Sequence, residues 1–164
     1  MSVQAHRVRL VGFFAGLIDA HHGVFETLLD VGCGELQQIW RQRWGDRYEG
    51  FDKRDSVGAD VVGDACDLSS FETDSRDVVT AWSVIEHVTH PYTMLEEMKR
   101  VSRGTVMFTT DYMESDKNRD PTHLYSWTPK TLQQLINMIH VDNTVYTAND
   151  MLIGVLRNCG ANEN

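Results

Sequence analysis

The residues able to do chemistry sit just past apolar runs. Leu29-Asp30-Val31 leads into Gly32-Cys33-Gly34. Glycines let a backbone turn tightly and approach a ligand closely, and open α/β sheets bind ligands at the carboxyl ends of their strands. Asp52, eighteen residues beyond Gly34, closes the next apolar run, where a carboxylate can accept both hydroxyls of a ribose. Asp64-Ala65 follows a third run. A carboxylate beside a backbone amide matches an adenine edge, which offers an amino donor next to a ring-nitrogen acceptor. Each feature alone could be a loop solubiliser or a turn former. Together the three strand ends suggest the three parts of a bound adenosyl nucleoside.

Positioning these residues requires strands that alternate with helices. Thr27–Val31, Tyr48–Phe51, Asp60–Gly63, Val78–Trp82 and Val106–Thr110 read as short buried strands. Leu36–Trp44 reads as a helix, and another starts at Pro91 with Met94, Leu95, Met98 and Val101 as its apolar stripe. Thr128 caps a further helix, Pro129 suits its first position, and Leu132, Leu135, Ile136 and Ile139 form its buried face. Asn143–Thr147 and Met151–Leu156 look like a closing antiparallel pair. The alternation predicts an α/β fold with a mostly parallel sheet, as one domain over residues 1–164. Only Lys53–Ala59 joins the second strand to the third, and Asp64–Asp77 is tight for a helix with its loops. One face should therefore carry few helices, leaving apolar surface for the N-terminal helix, loops or a partner chain to cover. A homodimer or a heteromeric partner is expected on that ground.

The chain has 41% hydrophobic and 24% charged residues, the composition of an ordinary soluble domain. Its net charge of −9 argues against a protein that grips phosphate backbones. The three cysteines, Cys33, Cys66 and Cys159, have neither disulfide-framework nor metal-ligand spacing, so a reducing, cytoplasmic setting is expected. Arg7 and Arg9 precede the apolar run Leu10–Ile18 as in a signal peptide. Yet Leu10, Phe13, Phe14, Leu17 and Ile18 are spaced as one face of a helix, and the run is too short to span a bilayer.

The combination Asp30-Val31-Gly32-Cys33-Gly34, Asp52, Gly63-Asp64-Ala65-Cys66-Asp67-Leu68 and Asp77 through Val88 resembles class I S-adenosylmethionine-dependent methyltransferases. The likeness continues through Met94–Val101, Asp120-Pro121-Thr122-His123 and Trp127-Thr128-Pro129. It implies a Rossmann-like sheet in the order 3-2-1-4-5-7-6, with S-adenosylmethionine as cofactor. By position, Asp30 and Gly32-Cys33-Gly34 would hold the methionine end, Asp52 with Lys53 the ribose, and Asp64 and Ala65 the adenine. Ser83, Val84 and the residues up to His87 would line the floor beside the sulfonium. The branch it most resembles, with a shortened second crossover, acts on small molecules or is associated with surface-polysaccharide and lipid pathways. Leu36 stands where a third glycine is common, and Ser102-Arg103-Gly104 replaces the usual Pro-Gly-Gly.

The acceptor is less defined. No Asn-Pro-Pro-Tyr-like motif follows the fourth strand and no Pro-Cys nucleophile exists, so nucleic acid is disfavoured. Methyl transfer from a sulfonium needs mainly in-line positioning, because the cofactor supplies the activation. A base helps a hydroxyl acceptor, and imidazole is the side chain suited to that role, which makes His87 and His123 the candidates. Their structural alternatives are a helix-start hydrogen bond and a loop-fixing one. Glu86-His87 with His90 lacks a convincing fourth ligand, so no metal is expected. The reading is a methyltransferase of a small molecule (a sugar, lipid or other metabolite). The runner-up is a non-catalytic cofactor-binding partner subunit, suggested by the short stretch before the first strand and the irregular glycine turn. A nicotinamide dehydrogenase comes third, since Gly32, Gly34 and Asp52 would suit any adenosine ribose.

Overall fold

The computed structural model of the protein describes residues 3–112, 120–148 and 150–158. Cys159, residues 113–119 of the long loop and the Leu10 side chain lie outside the described part. Helix α1 (Val3–His21) precedes β1 (Leu28–Val31), α2 (Gln37–Trp44), β2 (Tyr48–Asp52), β3 (Val61–Val62) and β4 (Arg76–Trp82). Then come α3 (Pro91–Val101), β5 (Ser102–Asp111), α4 (Pro129–Ile139), β6 (Asn143–Ala148) and β7 (Met151–Arg157). The strands form one seven-stranded sheet in the order β3-β2-β1-β4-β5-β7-β6. The β1–β2, β1–β4, β2–β3 and β4–β5 pairs are parallel, and β7 runs antiparallel between β5 and β6. This is the Rossmann-like order that the resemblance implied. β5 extends beyond the Val106–Thr110 run at both ends, because it pairs with β4 on one side and β7 on the other.

Period-2 alternation sends successive side chains to two cores. Leu29, Val31, Val79 and Ala81 meet α3 and α4 through Met94, Leu95, Met98, Leu132 and Ile136. Leu28, Val78 and Trp82 meet α1 and α2 through Phe14, Ile18, Trp40 and Trp44 on the other face. Phe14 stacks on Trp82 with ring centroids 4.1 Å apart. The buried face of α1 is Val11, Phe14, Ala15 and Ile18, with Phe13 and Leu17 half-buried. It is thus rotated from the predicted Leu10–Phe13–Phe14–Leu17–Ile18 face, with Val11 and Ala15 buried beside Phe14 and Ile18. At α4, the Thr128 hydroxyl accepts the Thr131 amide at 3.2 Å and the Thr131 hydroxyl accepts the Thr128 amide at 2.9 Å. This reciprocal cap supports the predicted start.

Neither connection flanking β3 carries an α-helix. The short crossover over residues 53–60 suffices because β3 pairs only with the last two residues of β2, Phe51↔Val61 and Asp52↔Val62. The segment after β3 is fastened to α3. Leu68 donates its amide to Glu97 at 2.9 Å, and Arg100 donates to the carbonyls of Phe71 and Leu68 at 3.0 and 2.9 Å. Leu68 and Phe71 thereby enter the core in place of a crossover helix. The open apolar face behind the dimer expectation is consequently not present among the described residues. α1 packs on one face of the sheet and this segment on the other, and the exposed large apolar residues are Val24, Val62, Leu124, Tyr125, Met138 and Val141. No helix among the described residues is long and apolar enough to cross a membrane.

Asp77 ties β4 to the entry of β1. Its Oδ2 accepts the amides of Glu26 and Thr27 at 2.8 and 2.9 Å, and its Oδ1 accepts Arg103 Nε at 2.6 Å. Burial disfavours its charge, but the Arg103 guanidinium and those amides outweigh burial and hold the carboxyl at about 2. Because this is below the ordinary value of 3.8, the stabilisation is complete above that value and disappears as pH falls through about 2. Its size is roughly 2 kcal/mol. Asp77→Asn should lower the free energy of urea unfolding by about 1–3 kcal/mol at neutral pH. It should also flatten the stability curve between about pH 4 and pH 2.

Candidate functional site

A cleft of about 510 Å³ opens at the carboxyl ends of β1, β2, β3 and β4. Of the residues singled out in the sequence, Gly32, Asp52, Lys53, Asp64, Ala65, Ser83, Val84 and His87 line it. At the β1 end, the amides of Gly32 and Cys33 both donate to the Phe51 carbonyl, at 2.7 and 3.0 Å. Gly32 has φ +74°, and a Cβ there would lie 2.5 Å from Val84 Cγ2. The glycine is therefore required by both backbone sign and space. Ser83 also sits at positive φ, +54°, with its amide held by Thr109. Such a conformation in a non-glycine residue at a cleft is a common mark of a functional turn.

Asp52 accepts four donors: the Gly34 amide (3.0 Å), the Arg54 amide (2.9 Å), Arg54 Nε (3.1 Å) and Arg54 Nη2 (3.4 Å). Burial works against its charge, yet these bonds prevail and keep the carboxyl below its ordinary value. The Arg54 side chain is 54% exposed, so the ion pair is weak and exchangeable. Asp64 Oδ1 accepts the Cys66 amide at 2.8 Å, which fixes the carboxylate next to Ala65.

Three residues of the predicted cofactor set stand behind the lining. Asp30 is 1% exposed and accepts the hydroxyls of Tyr48 and Thr80, each at 3.0 Å. Burial pushes its carboxyl up to about 7, against those hydrogen bonds. Cys33 is buried, and burial with the nearby carboxylates of Asp30, Asp52 and Asp60 pushes its thiol up to about 12. It therefore presents no thiolate. Gly34 reaches the site through its amide on Asp52.

At the far end, His87 lines the cleft and His123 packs edge-on behind it, ring centroids 4.7 Å apart. His87 Nδ1 lies 3.3 Å from the Thr122 carbonyl and 3.2 Å from its hydroxyl, which donates to Asp120 at 2.6 Å. His123 Nε2 is 4.0 Å from Asp111 Oδ2. The Glu86 carbonyl accepts the amides of Leu124 and Tyr125, at 2.8 and 3.3 Å, docking the returning loop. The Glu86 side chain is 1% exposed and neither carboxylate oxygen has a hydrogen-bond partner. Burial lifts its carboxyl to about 7. The Thr110 hydroxyl and the residue's own amide are near enough to ease that charge, though neither meets hydrogen-bond geometry with a carboxylate oxygen. Ligand atoms of Glu86, His87 and His123 all lie within 4.8 Å of one another. His90 is exposed and outside this group.

The lining also contains Phe51, Arg54, Val88, Thr89 and Thr122, which sequence reasoning missed. Arg54 had a signal in its position two residues after Asp52, and Thr122 in its place beside His123. Phe51 had none, since it reads as strand core.

Residues 29–108 match the family model described as a methyltransferase domain. Over that stretch the chain is similar to the methyltransferase-domain family, and its fold is that of S-adenosylmethionine-dependent methyltransferases. Its fold is similar to that of a SAM-dependent methyltransferase from Archaeoglobus fulgidus (TM-score 0.74, 14% identity, 95% of this chain and 94% of that one). It is also similar to a Haloferax volcanii protein solved with the Trm112 methyltransferase activator (TM-score 0.65, 17% identity, 98% and 97%). A SAM-dependent methyltransferase from Aquifex aeolicus is a third (TM-score 0.60, 17% identity, 80% and 81%). At these identities the likeness to solved structures carries the fold alone. No curated protein matches the sequence.

The glycine turn can be tested sterically. Gly32→Ala should lower the thermal midpoint, with about 1–3 kcal/mol lost to the backbone and to the Val84 clash. Gly32→Ala combined with Val84→Ala should recover only the clash, because the positive φ remains.

Proposed function

We propose that this domain transfers a methyl group from S-adenosylmethionine to a small-molecule acceptor such as a sugar, lipid or other metabolite. The observation that supports it most is the convergence of Gly32, Asp52, Asp64-Ala65 and Ser83-Val84 from four strand ends onto one cleft, with His87 at its far end. The cleft volume is in the range of small-molecule sites, and the net charge of −9 disfavours a nucleic-acid acceptor.

The residues present fit the cofactor. The ionised Asp52 offers lone pairs to ribose hydroxyls in place of the exchangeable Arg54 guanidinium, and Asp64 with Ala65 offers an acceptor beside a backbone donor for adenine. The Gly32 turn lacks the Cβ that would fill the floor. When bound, S-adenosylmethionine supplies an electrophilic methyl group on its sulfonium. Lys53 joins the ribose end, while Asp30, Cys33 and Gly34 serve the methionine end by shaping the turn. His87 and His123 are the catalytic pair in this reading, holding the acceptor and managing the proton that a hydroxyl gives up.

A second reading, a cofactor-binding partner subunit, is favoured by the Haloferax volcanii relative in fold, whose solved structure contains the Trm112 activator. Turnover by the isolated chain would eliminate it.

Calorimetry should show S-adenosylhomocysteine binding and no NAD binding; the reverse would sink the proposal. Asp52→Ala should weaken S-adenosylhomocysteine by about 1.5–3 kcal/mol, the scale of hydrogen bonds to a charged group. With a hydroxyl acceptor, His123→Ala should slow turnover by about 10²- to 10⁴-fold at nearly unchanged cofactor affinity. If His123 only braces the loop, affinity and thermal midpoint should fall together.

A further inference from the structure

The far end of the cleft holds a group that the cofactor reading leaves unexplained. Glu86 is buried with both carboxylate oxygens unpartnered. Buried carboxylates without hydrogen bonds are rare, and an unmodified ion is expensive to keep in such a place. Two imidazoles stand within 4.8 Å of it. We propose that Glu86, His87 and His123 form a binding site for a divalent first-row transition metal ion at the acceptor end of the cleft.

The donor set suits such an ion. One carboxylate and two imidazoles are the protein ligands of metal sites that keep coordination positions open for water or substrate. Ligands bound at about 2.0–2.2 Å stand roughly 3–4 Å apart. The three ligand atoms, all within 4.8 Å of one another, therefore need to draw in by about 1–2 Å at most. The backbone brings the three residues together. Glu86 and His87 lie in the turn three residues after β4, and the loop carrying His123 is docked by the two amides on the Glu86 carbonyl.

The surroundings match as well. A carbonyl can only accept, so the 3.3 Å approach of His87 Nδ1 to the Thr122 carbonyl suits the tautomer whose Nε2 keeps its lone pair, and Thr122 is itself held by Asp120. The Asp111 carboxylate near His123 adds a second negative charge that a cation relieves. The earlier expectation of no metal considered His90 as the third ligand. Folding brings His123 to that position instead, across 36 residues of sequence from His87.

Because His87 lines the cleft, an ion held there would border the space for an acceptor. There it would take the oxygen of a hydroxyl acceptor and lower its pKa, as metals do for bound water. This role, though not the binding itself, rests on the methyltransferase reading, and it makes His87 and His123 ligands instead of free bases.

The test is a Co²⁺ titration of the full chain, stripped with a chelator and freed of any affinity tag. Visible absorption should saturate at one Co²⁺ per chain. Glu86→Gln and His123→Ala should each weaken binding by at least about 10- to 100-fold, whereas His90→Ala should leave it unchanged. S-adenosylhomocysteine affinity and the thermal midpoint, measured on each variant, confirm that the cleft is folded. No saturable Co²⁺ binding by wild type, or binding indifferent to both ligand variants in folded protein, overturns the site. Co²⁺ binding without S-adenosylhomocysteine binding overturns the methyltransferase reading and leaves the metal site standing.

Discussion

The Phe51 carbonyl at the end of β2 receives two amides, from Gly32 and Cys33, just as the chain leaves β1. That clamp folds the β1 turn against its neighbour strand and leaves no room beside Val84 for a side chain at position 32. It aligns the ends of β1, β2 and β4 at one edge, so the groups projecting there share a cleft. The Gly34 amide then reaches the Asp52 carboxylate and links the turn to the acid that the ribose reading requires. Loss of the turn would scatter the strand ends without breaking any strand.

The rest of the molecule keeps that edge rigid with few helices. Two cores, one on each sheet face, grip the central strands from both sides. The aromatic stack of Phe14 on Trp82 and of Trp40 on Trp44 fills the α1–α2 face with large rings. On the other face, Glu97 and Arg100 of α3 hold the helix-free segment after β3 by its backbone. This replaces the crossover helix with three hydrogen bonds and two buried apolar side chains. It also delivers Asp64 and Ala65 to the cleft on a connection too short to wander.

What could be read from the sequence was whatever the pattern encodes locally. Apolar runs ending in glycine or aspartate mark the strand ends, and Thr128-Pro129 marks a helix start, because propensity, capping and burial agree at those points. The helical periodicity of α1 was also visible, although not the rotation that buries Ala15. Long-range placement was not legible. Nothing near Glu86 reveals that its carboxylate goes unpaired, since that depends on which loop returns over it. Likewise the short connections around β3 suggested an uncovered face, because the N-terminal helix and the Leu68–Phe71 segment could not be placed on it from spacing alone.

The two ends of the cleft treat a carboxylate in opposite ways. Asp52 is nearly buried but has four donors, two of them from a guanidinium that is half in water. It can stay ionised and trade one set of donors for another at little loss, as a site for neutral hydroxyls must. Glu86 is just as buried with no donor in hydrogen-bond geometry, and its nearest titratable neighbours are two imidazoles and the Asp111 carboxylate. Neutral imidazoles offer lone pairs as readily as protons, so such a trio is satisfied by a proton or by a metal cation. A single proton can serve only one oxygen of Glu86. A cation can serve the carboxylate and both imidazoles at once, and it places the strongest local field beside His87, where the cleft leaves space for an acceptor.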